Sequence, residues 1–169
     1  MYCAYIRKHY GSSESVSVVF DGYNNASIKD AERSRRYTKM APDIMFQENT
    51  PLTTTKDLFL ANSKNKTRFI ELLQDILTKA NIHVEIAEDD ADVIIVKRAH
   101  DVKLQTGGQV VIVGEDIDLL VLTVGLTSSE NPILFLKSGK GDTPNQLYSS
   151  HELREENAWM RDDILVAHA

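Results

Sequence analysis

The chain has 169 residues, a formal net charge of −6 and a hydrophobic fraction of 42%. These values fit one soluble domain with an ordinary core and argue against disordered and fibrous proteins. No run of about 18 apolar residues occurs, which excludes a membrane span. Cys3 is the only cysteine, which excludes a disulfide framework and a multi-cysteine zinc site. Charged residues interrupt the first apolar positions, so we expect no secretory signal, no membrane partner and an intracellular location in the nucleus or cytoplasm.

Charge is distributed unevenly along the chain. Residues 1–80 carry 12 Lys and Arg against 9 Asp and Glu, whereas residues 81–169 carry 7 against 16. The excess acid falls in two clusters: Glu85, Glu88, Asp89, Asp90 and Asp92, and then Glu115, Asp116 and Asp118. Clustered carboxylates repel one another unless a cation lies among them. A solvated acidic face is the alternative interpretation.

In the first half of the chain, residue patterns predict a helix over 2–10 that ends at Gly11 and a strand over 16–20 that ends at Asp21. A polar helix then begins at Ser27 and carries Lys29 and Arg36. Residues 41–62 predict a long irregular connection, which in a compact domain is often functional.

In the second half, apolar residues at helical spacing predict a helix from Ser63 to Asn81, followed by a strand over 82–86. Asp90 is placed to cap the next helix. Residues 109–113 predict a strand buried on both faces, 119–124 are ambiguous between helix and strand, and 133–136 predict a further strand. Helices are expected over 149–160 and from Asp162 onward. The alternation predicts a single α/β domain over 1–169, with an open, mainly parallel sheet and helices on both faces.

Carboxylates follow three of the predicted strands: Asp21, the pair Glu88 and Asp90, and the pair Asp116 and Asp118. In open α/β sheets, reactive groups gather beyond the carboxyl ends of the strands. Convergent carboxylates raise one another's pKa or require a metal, and oxygen ligands favour Mg²⁺ or Mn²⁺ over zinc. Two such ions about 3.5–4 Å apart could clamp a phosphodiester during in-line displacement.

Each of these residues also has an ordinary structural interpretation. Asp90 and Asp118 can be helix N-caps, and Asp21 can be a turn residue. Lys29 and Arg36 can be solvated charges. They are seven residues apart, however, so both would lie on one helix face and could hold the phosphates of a nucleic acid.

Three blocks resemble the flap endonuclease and XPG-type nucleases. VVFDG followed by SIKDAERSRR is similar to the family signature in which a strand-end Asp precedes a Lys and an Arg, with the Lys here one position further from the Asp than usual. AEDDADVIIVK is similar to the family's EAEA segment, and VVIVGEDIDLL to its EDxD block. The resemblance is closer still to PIN-like proteins found in animal genomes with mobile-element character.

The resemblance implies a PIN-like nuclease fold and two-metal hydrolysis of phosphodiester bonds in DNA or RNA. It implies metal binding and catalysis by Asp21, Glu88, Asp90, Asp116 and Asp118, with Mg²⁺ or Mn²⁺ as cofactor. Lys29 and Arg36 would bind the nucleic acid. The family's first-strand Asp and later Asp have no counterpart in this chain, so we expect a domain truncated at both ends.

Two other classes of protein stay open. A catalytically inactive, nuclease-derived module that binds nucleic acid or acts as a scaffold would keep the sheet and the basic helix. A doubly wound phosphate-handling protein, such as a receiver or an NTPase, is the third class. The segment KSGKGDT lacks the spacing of a phosphate-binding P-loop, which disfavours the NTPase.

Overall fold

The computed structural model describes residues 2–11, 16–22, 41–88, 90–139 and 141–157, which form a mixed α/β protein. In chain order the elements are α1 (Tyr2–Tyr10), β1 (Ser17–Phe20), α2 (Lys56–Ala61), α3 (Ser63–Lys79), β2 (His83–Ile86), α4 (Ala91–Thr106), β3 (Val111–Gly114), α5 (Ile117–Leu126), β4 (Leu134–Lys137), β5 (Gln146–Ser149) and α6 (Ser150–Glu156). Over these residues, no helix combines the length and the apolar character that crossing a membrane requires.

The chain divides into two compact units, Met1–Asp89 and Asp90–Ala169. In the first unit, β1 and β2 form a parallel pair in which Ser17 lies opposite His83 and Phe20 opposite Ile86. In the second unit the strand order is β3-β4-β5, with β3 parallel and β5 antiparallel to β4. The predicted α/β class is therefore confirmed at the level of helices with small parallel and mixed sheets.

Helix α3 organises the first unit. Its apolar stripe buries Ile70, Leu73 and Leu77, as the periodicity of the sequence predicts. Asn62 caps its first turn by accepting hydrogen bonds from the backbone N–H groups of residues 64 and 65. Helix α1 contacts the other end of α3, where Arg7 Nη2 donates to the Ala80 carbonyl at 3.2 Å.

The core of the second unit lies between one face of its sheet and helices α4 and α5. Its buried members are Val96, Ala99, Ile112, Leu119, Ile133 and Phe135. Asp90 caps α4, as predicted, and Gly107 ends that helix with φ +63°, a left-handed conformation that glycine adopts without strain.

The structure corrects several sequence predictions. The connection over 41–62 is irregular only as far as Thr55, because that residue caps the helix α2. Strand β5 was not expected, and the ambiguous residues 119–124 belong to the helix α5. Strand β3 is buried on one face only, since Val111 and Val113 are 44% and 42% exposed. The predicted helices that begin at Ser27 and Asp162 lie outside the described residues.

Candidate metal centre

Asp21 is the first residue after β1 and is exposed. The backbone N–H of Ala87 donates to the Phe20 carbonyl at 2.9 Å, which extends the parallel pairing one step beyond the last pair of strand residues. Gly22 follows and passes close to Ala87, because a Cβ at position 22 would lie 1.7 Å from the Ala87 carbonyl oxygen. The glycine of the VVFDG block therefore has a steric role beside the Asp.

Glu88 leaves the same end of the same strand pair. It comes two residues after the last residue of β2 and is exposed, whereas Ala87 before it is buried. Since β1 and β2 are parallel neighbours, Asp21 and Glu88 follow the carboxyl ends of both strands at one edge. This is the arrangement that the sequence predicts for the first two acidic positions.

Lys66 is a cation near Asp21 that the sequence analysis did not identify. It lies near the start of α3 and is partly buried. Burial lowers the pKa of Lys66 below its ordinary value, and the negative charge of Asp21 acts in the opposite direction. The sequence offers only a weak signal for this cation. The helix dipole favours acidic side chains in the first turn of a helix, but the first turn of α3 has none and a lysine lies nearby.

Asp90 lies at the N-terminus of α4. Its Oδ1 accepts a hydrogen bond from the backbone N–H of Asp92 at 2.9 Å, which is the N-cap interaction expected from the sequence. The side chain is exposed. Because the cap uses one carboxylate oxygen, the capping role leaves a second oxygen for a cation.

Asp116 and Asp118 lie at the N-terminus of α5, directly after β3. Asp116 is the N-cap, and its Oδ1 accepts from the backbone N–H of Asp118 at 3.2 Å. The alternative in which Asp118 is the cap is therefore wrong, since Asp118 lies in the first turn. The positive end of the helix dipole reduces the repulsion between these two exposed carboxylates.

The structure groups the predicted acids by unit. The first unit holds Asp21 and Glu88, with Lys66 near Asp21, and the second holds Asp90, Asp116 and Asp118. Among the residues that the structure describes, neither unit by itself brings three Asp, Glu, His or Cys side chains together as a metal site. The predicted nucleic-acid contacts, Lys29 and Arg36, lie outside the described residues.

The donor chemistry of these positions is consistent. All five side chains are carboxylates of exposed residues, and each follows a strand or begins a helix. Such oxygen donors suit Mg²⁺ or Mn²⁺. Comparison of the chain with family models, with curated proteins and with solved structures found no match.

Proposed function

We propose that this chain is a PIN-like, metal-dependent nuclease domain that hydrolyses phosphodiester bonds in DNA or RNA by a two-metal mechanism. The observation that carries the proposal is the position of Asp21 and Glu88, which follow the ends of two parallel neighbouring strands. A third strand, β3, is likewise followed by Asp116 and Asp118. Because DNA and RNA are found in the nucleus and the cytoplasm, we propose one of these two locations for the protein.

The proposed ligand set is Asp21, Glu88, Asp90, Asp116 and Asp118. Bound Mg²⁺ or Mn²⁺ would supply stabilisation of the charge that develops on the phosphate oxygens. The N-caps at Asp90 and Asp116 support this role, because each cap fixes one carboxylate oxygen and so limits the rotation of the side chain. A carboxylate held in this way loses less conformational entropy when it binds a cation.

Cationic side chains would hold the substrate. Lys29 and Arg36 are proposed to contact backbone phosphates, and phosphate contacts position a nucleic acid without reading its sequence. Lys66 adds a positive charge near Asp21. We further propose the open, three-layer arrangement of a PIN-like domain, with a mainly parallel sheet and helices on both faces, over residues 1–169.

A catalytically inactive module that binds nucleic acid or acts as a scaffold is the second candidate. The observation that favours it is that, over the described residues of either unit, fewer than three candidate ligands converge. Asp90 and Asp116 also have a structural function as N-caps that needs no metal. Such a module would keep the fold and bind nucleic acid without cleaving it.

Cleavage of labelled single-stranded and duplex substrates tests the proposal. The parent chain is incubated with Mn²⁺ or with EDTA, beside the variant Asp116→Asn, Asp118→Asn. Asn is as good an N-cap as Asp, so the variant keeps the start of α5 while it loses two charges. We expect Mn²⁺-dependent cleavage by the parent only. Metal-independent binding with no cleavage by the folded parent would favour the inactive module.

A further inference from the structure

The first unit contains a cavity of about 300 Å³ that the nuclease site does not use. It lies between the irregular residues 44–53 and the helices α2 and α3. Its apolar walls include the side chains of Phe46, Phe59, Phe69 and Leu72. Pockets of this size and apolar character are typical of small-molecule sites.

Three phenyl rings give the cavity its shape. The rings of Phe46 and Phe59 pack edge to face with centroids 5.2 Å apart, and those of Phe59 and Phe69 do so at 6.3 Å. Phe59 is 5% exposed and anchors the cluster, while Phe46 and Phe69 are only partly buried. Partly buried rings beside a cavity offer surface on which a flat aromatic ligand can stack.

The irregular wall of the cavity is held in place by Asn65 on α3. Asn65 is 0% exposed; its Oδ1 accepts from the Ile44 N–H at 2.8 Å, and its Nδ2 donates to the Pro42 carbonyl at 2.9 Å. Arg68 adds a hydrogen bond to the Ile44 carbonyl at 3.0 Å. A wall tethered in this way is formed before a ligand arrives, which lowers the entropic cost of binding.

Polar groups stand at the rim of the same cavity. Gln47, Glu48 and Lys56 all line it and are exposed. Within the part of the chain that the structure describes, Lys56 forms no ion pair, so its ammonium group can accept an anionic partner. Partly exposed rings, an amide and a cation can contact three features of a nucleotide: the flat base, the polar edge of the base and the phosphate.

We propose, on the premise that the chain is a nuclease, that this cavity binds one unstacked nucleotide, with the base among the phenyl rings and the phosphate at Lys56. The nucleotide has two possible sources, a free mononucleotide or an unpaired residue of a strand. The shared chemistry is an aromatic base that carries a phosphate.

Fluorescence anisotropy with a labelled oligothymidylate tests the inference, with thymidine monophosphate and thymidine as competitors and EDTA present throughout. EDTA removes the metal from the experiment, so failure of the metal site does not affect the result. We expect saturable binding that thymidine monophosphate displaces. If the oligothymidylate binds and the mononucleotide displaces it, the cavity accepts an unpaired residue of a strand. If the mononucleotide binds and the oligothymidylate does not, the source is a free mononucleotide.

Three variants locate the binding site. Phe46→Leu keeps an apolar side chain and removes one ring, and we expect affinity to fall about tenfold. Lys56→Gln should weaken the monophosphate more than the nucleoside, whereas Lys8→Gln, which removes an exposed lysine of α1, should change neither. Circular dichroism checks that each variant is folded. Parental affinity in either folded variant, Phe46→Leu or Lys56→Gln, or a parent that binds no nucleotide, would overturn the inference.

The metal and nucleotide results are separable. The variant Asp116→Asn, Asp118→Asn keeps the cavity residues, so its binding of the oligothymidylate in EDTA should be no weaker than that of the parent. Loss of metal binding without loss of nucleotide binding would leave the cavity assigned. If Phe46→Leu binds both the metal and the nucleotide as the parent does, the cavity proposal is overturned and the nuclease proposal stands.

Discussion

Gly22 and Ala87 approach each other so closely that no side chain fits between them. A Cβ at position 22 would lie 1.7 Å from the Ala87 carbonyl oxygen and 2.9 Å from its carbonyl carbon. Ala87 is itself 1% exposed and follows β2, while Gly22 comes immediately after Asp21. This close packing holds together the two segments that carry Asp21 and Glu88 at the carboxyl ends of β1 and β2.

Gly22→Ala should therefore destabilise the protein. Backbone atoms cannot move aside as a flexible side chain can, so we expect a loss of about 2–3 kcal/mol in the free energy of unfolding. Urea denaturation measures it. The matched control is Gly108→Ala, where the nearest atom is the Thr106 hydroxyl at 3.3 Å; this side-chain atom can shift slightly, so a smaller loss is expected. Equal stability of the two variants would contradict the close approach.

Asn65 should be among the most sensitive polar positions. Replacement by Ala leaves the Ile44 N–H and the Pro42 carbonyl without their hydrogen-bond partner. We expect a loss of about 2–4 kcal/mol in unfolding free energy and faster amide exchange at Ile44. The exposed Asn49→Ala serves as the control and should lie within about 0.5 kcal/mol of the parent. Unchanged exchange at Ile44 would show that Asn65 does not hold the cavity wall.

Asp43 should contribute to stability against acid. Its hydrogen bond with Arg68 lowers the pKa of Asp43 below 3.8, and the charges of Arg68 and Lys64 act in the same direction. A depressed pKa means stability that is present above the unfolded pKa and is lost as the pH falls through the folded value. Asp43→Asn should therefore flatten the decline in the urea midpoint as the pH falls below about 4. Asp57→Asn is the control, and a profile for Asp43→Asn identical to that of the parent would contradict the pairing.

Lys66 should oppose metal binding through its charge near Asp21. Lys66→Gln removes that charge, so the affinity for Mn²⁺ should rise about threefold to tenfold, because like charges repel. Lys66→Arg keeps the charge and should stay close to the parent. Calorimetric titration compares the three chains. A weaker affinity in Lys66→Gln would show instead that Lys66 orients a ligand.

Local sequence signals predicted the elements that depend on neighbouring residues. The i, i+3, i+4 stripe of α3 and the Asp90 cap of α4 are determined within one or two helical turns, and both were confirmed. The parallel pairing of β1 with β2 places Asp21 and Glu88 after the carboxyl ends of neighbouring strands, as the sequence predicts. The helix stripe and the cap require no knowledge of distant contacts, whereas the pairing of β1 with β2 joins residues 17–20 to residues 83–86.

The features that were missed depend on contacts between distant residues. Strand β5 reads QLYS, with two polar residues of four, and is specified by its antiparallel pairing with β4. Val111 and Val113 have the pattern of a fully buried strand, but only the face that carries Ile112 packs against the core. Lys66 is 45 positions from Asp21 in sequence, so no spacing argument could bring the two charges together.

The most direct test of the central claim is calorimetric titration of Mn²⁺ into the parent chain and three charge variants. Asp21→Asn, Glu88→Gln removes the acids of the first unit, and Asp116→Asn, Asp118→Asn removes two from the second. Asp101→Asn, Asp142→Asn removes two other exposed acids and is the control. The proposal predicts saturable binding by the parent and the control, and its loss in both site variants. Absence of binding by the folded parent, or equal binding by all four chains, would contradict a metal centre at these acids.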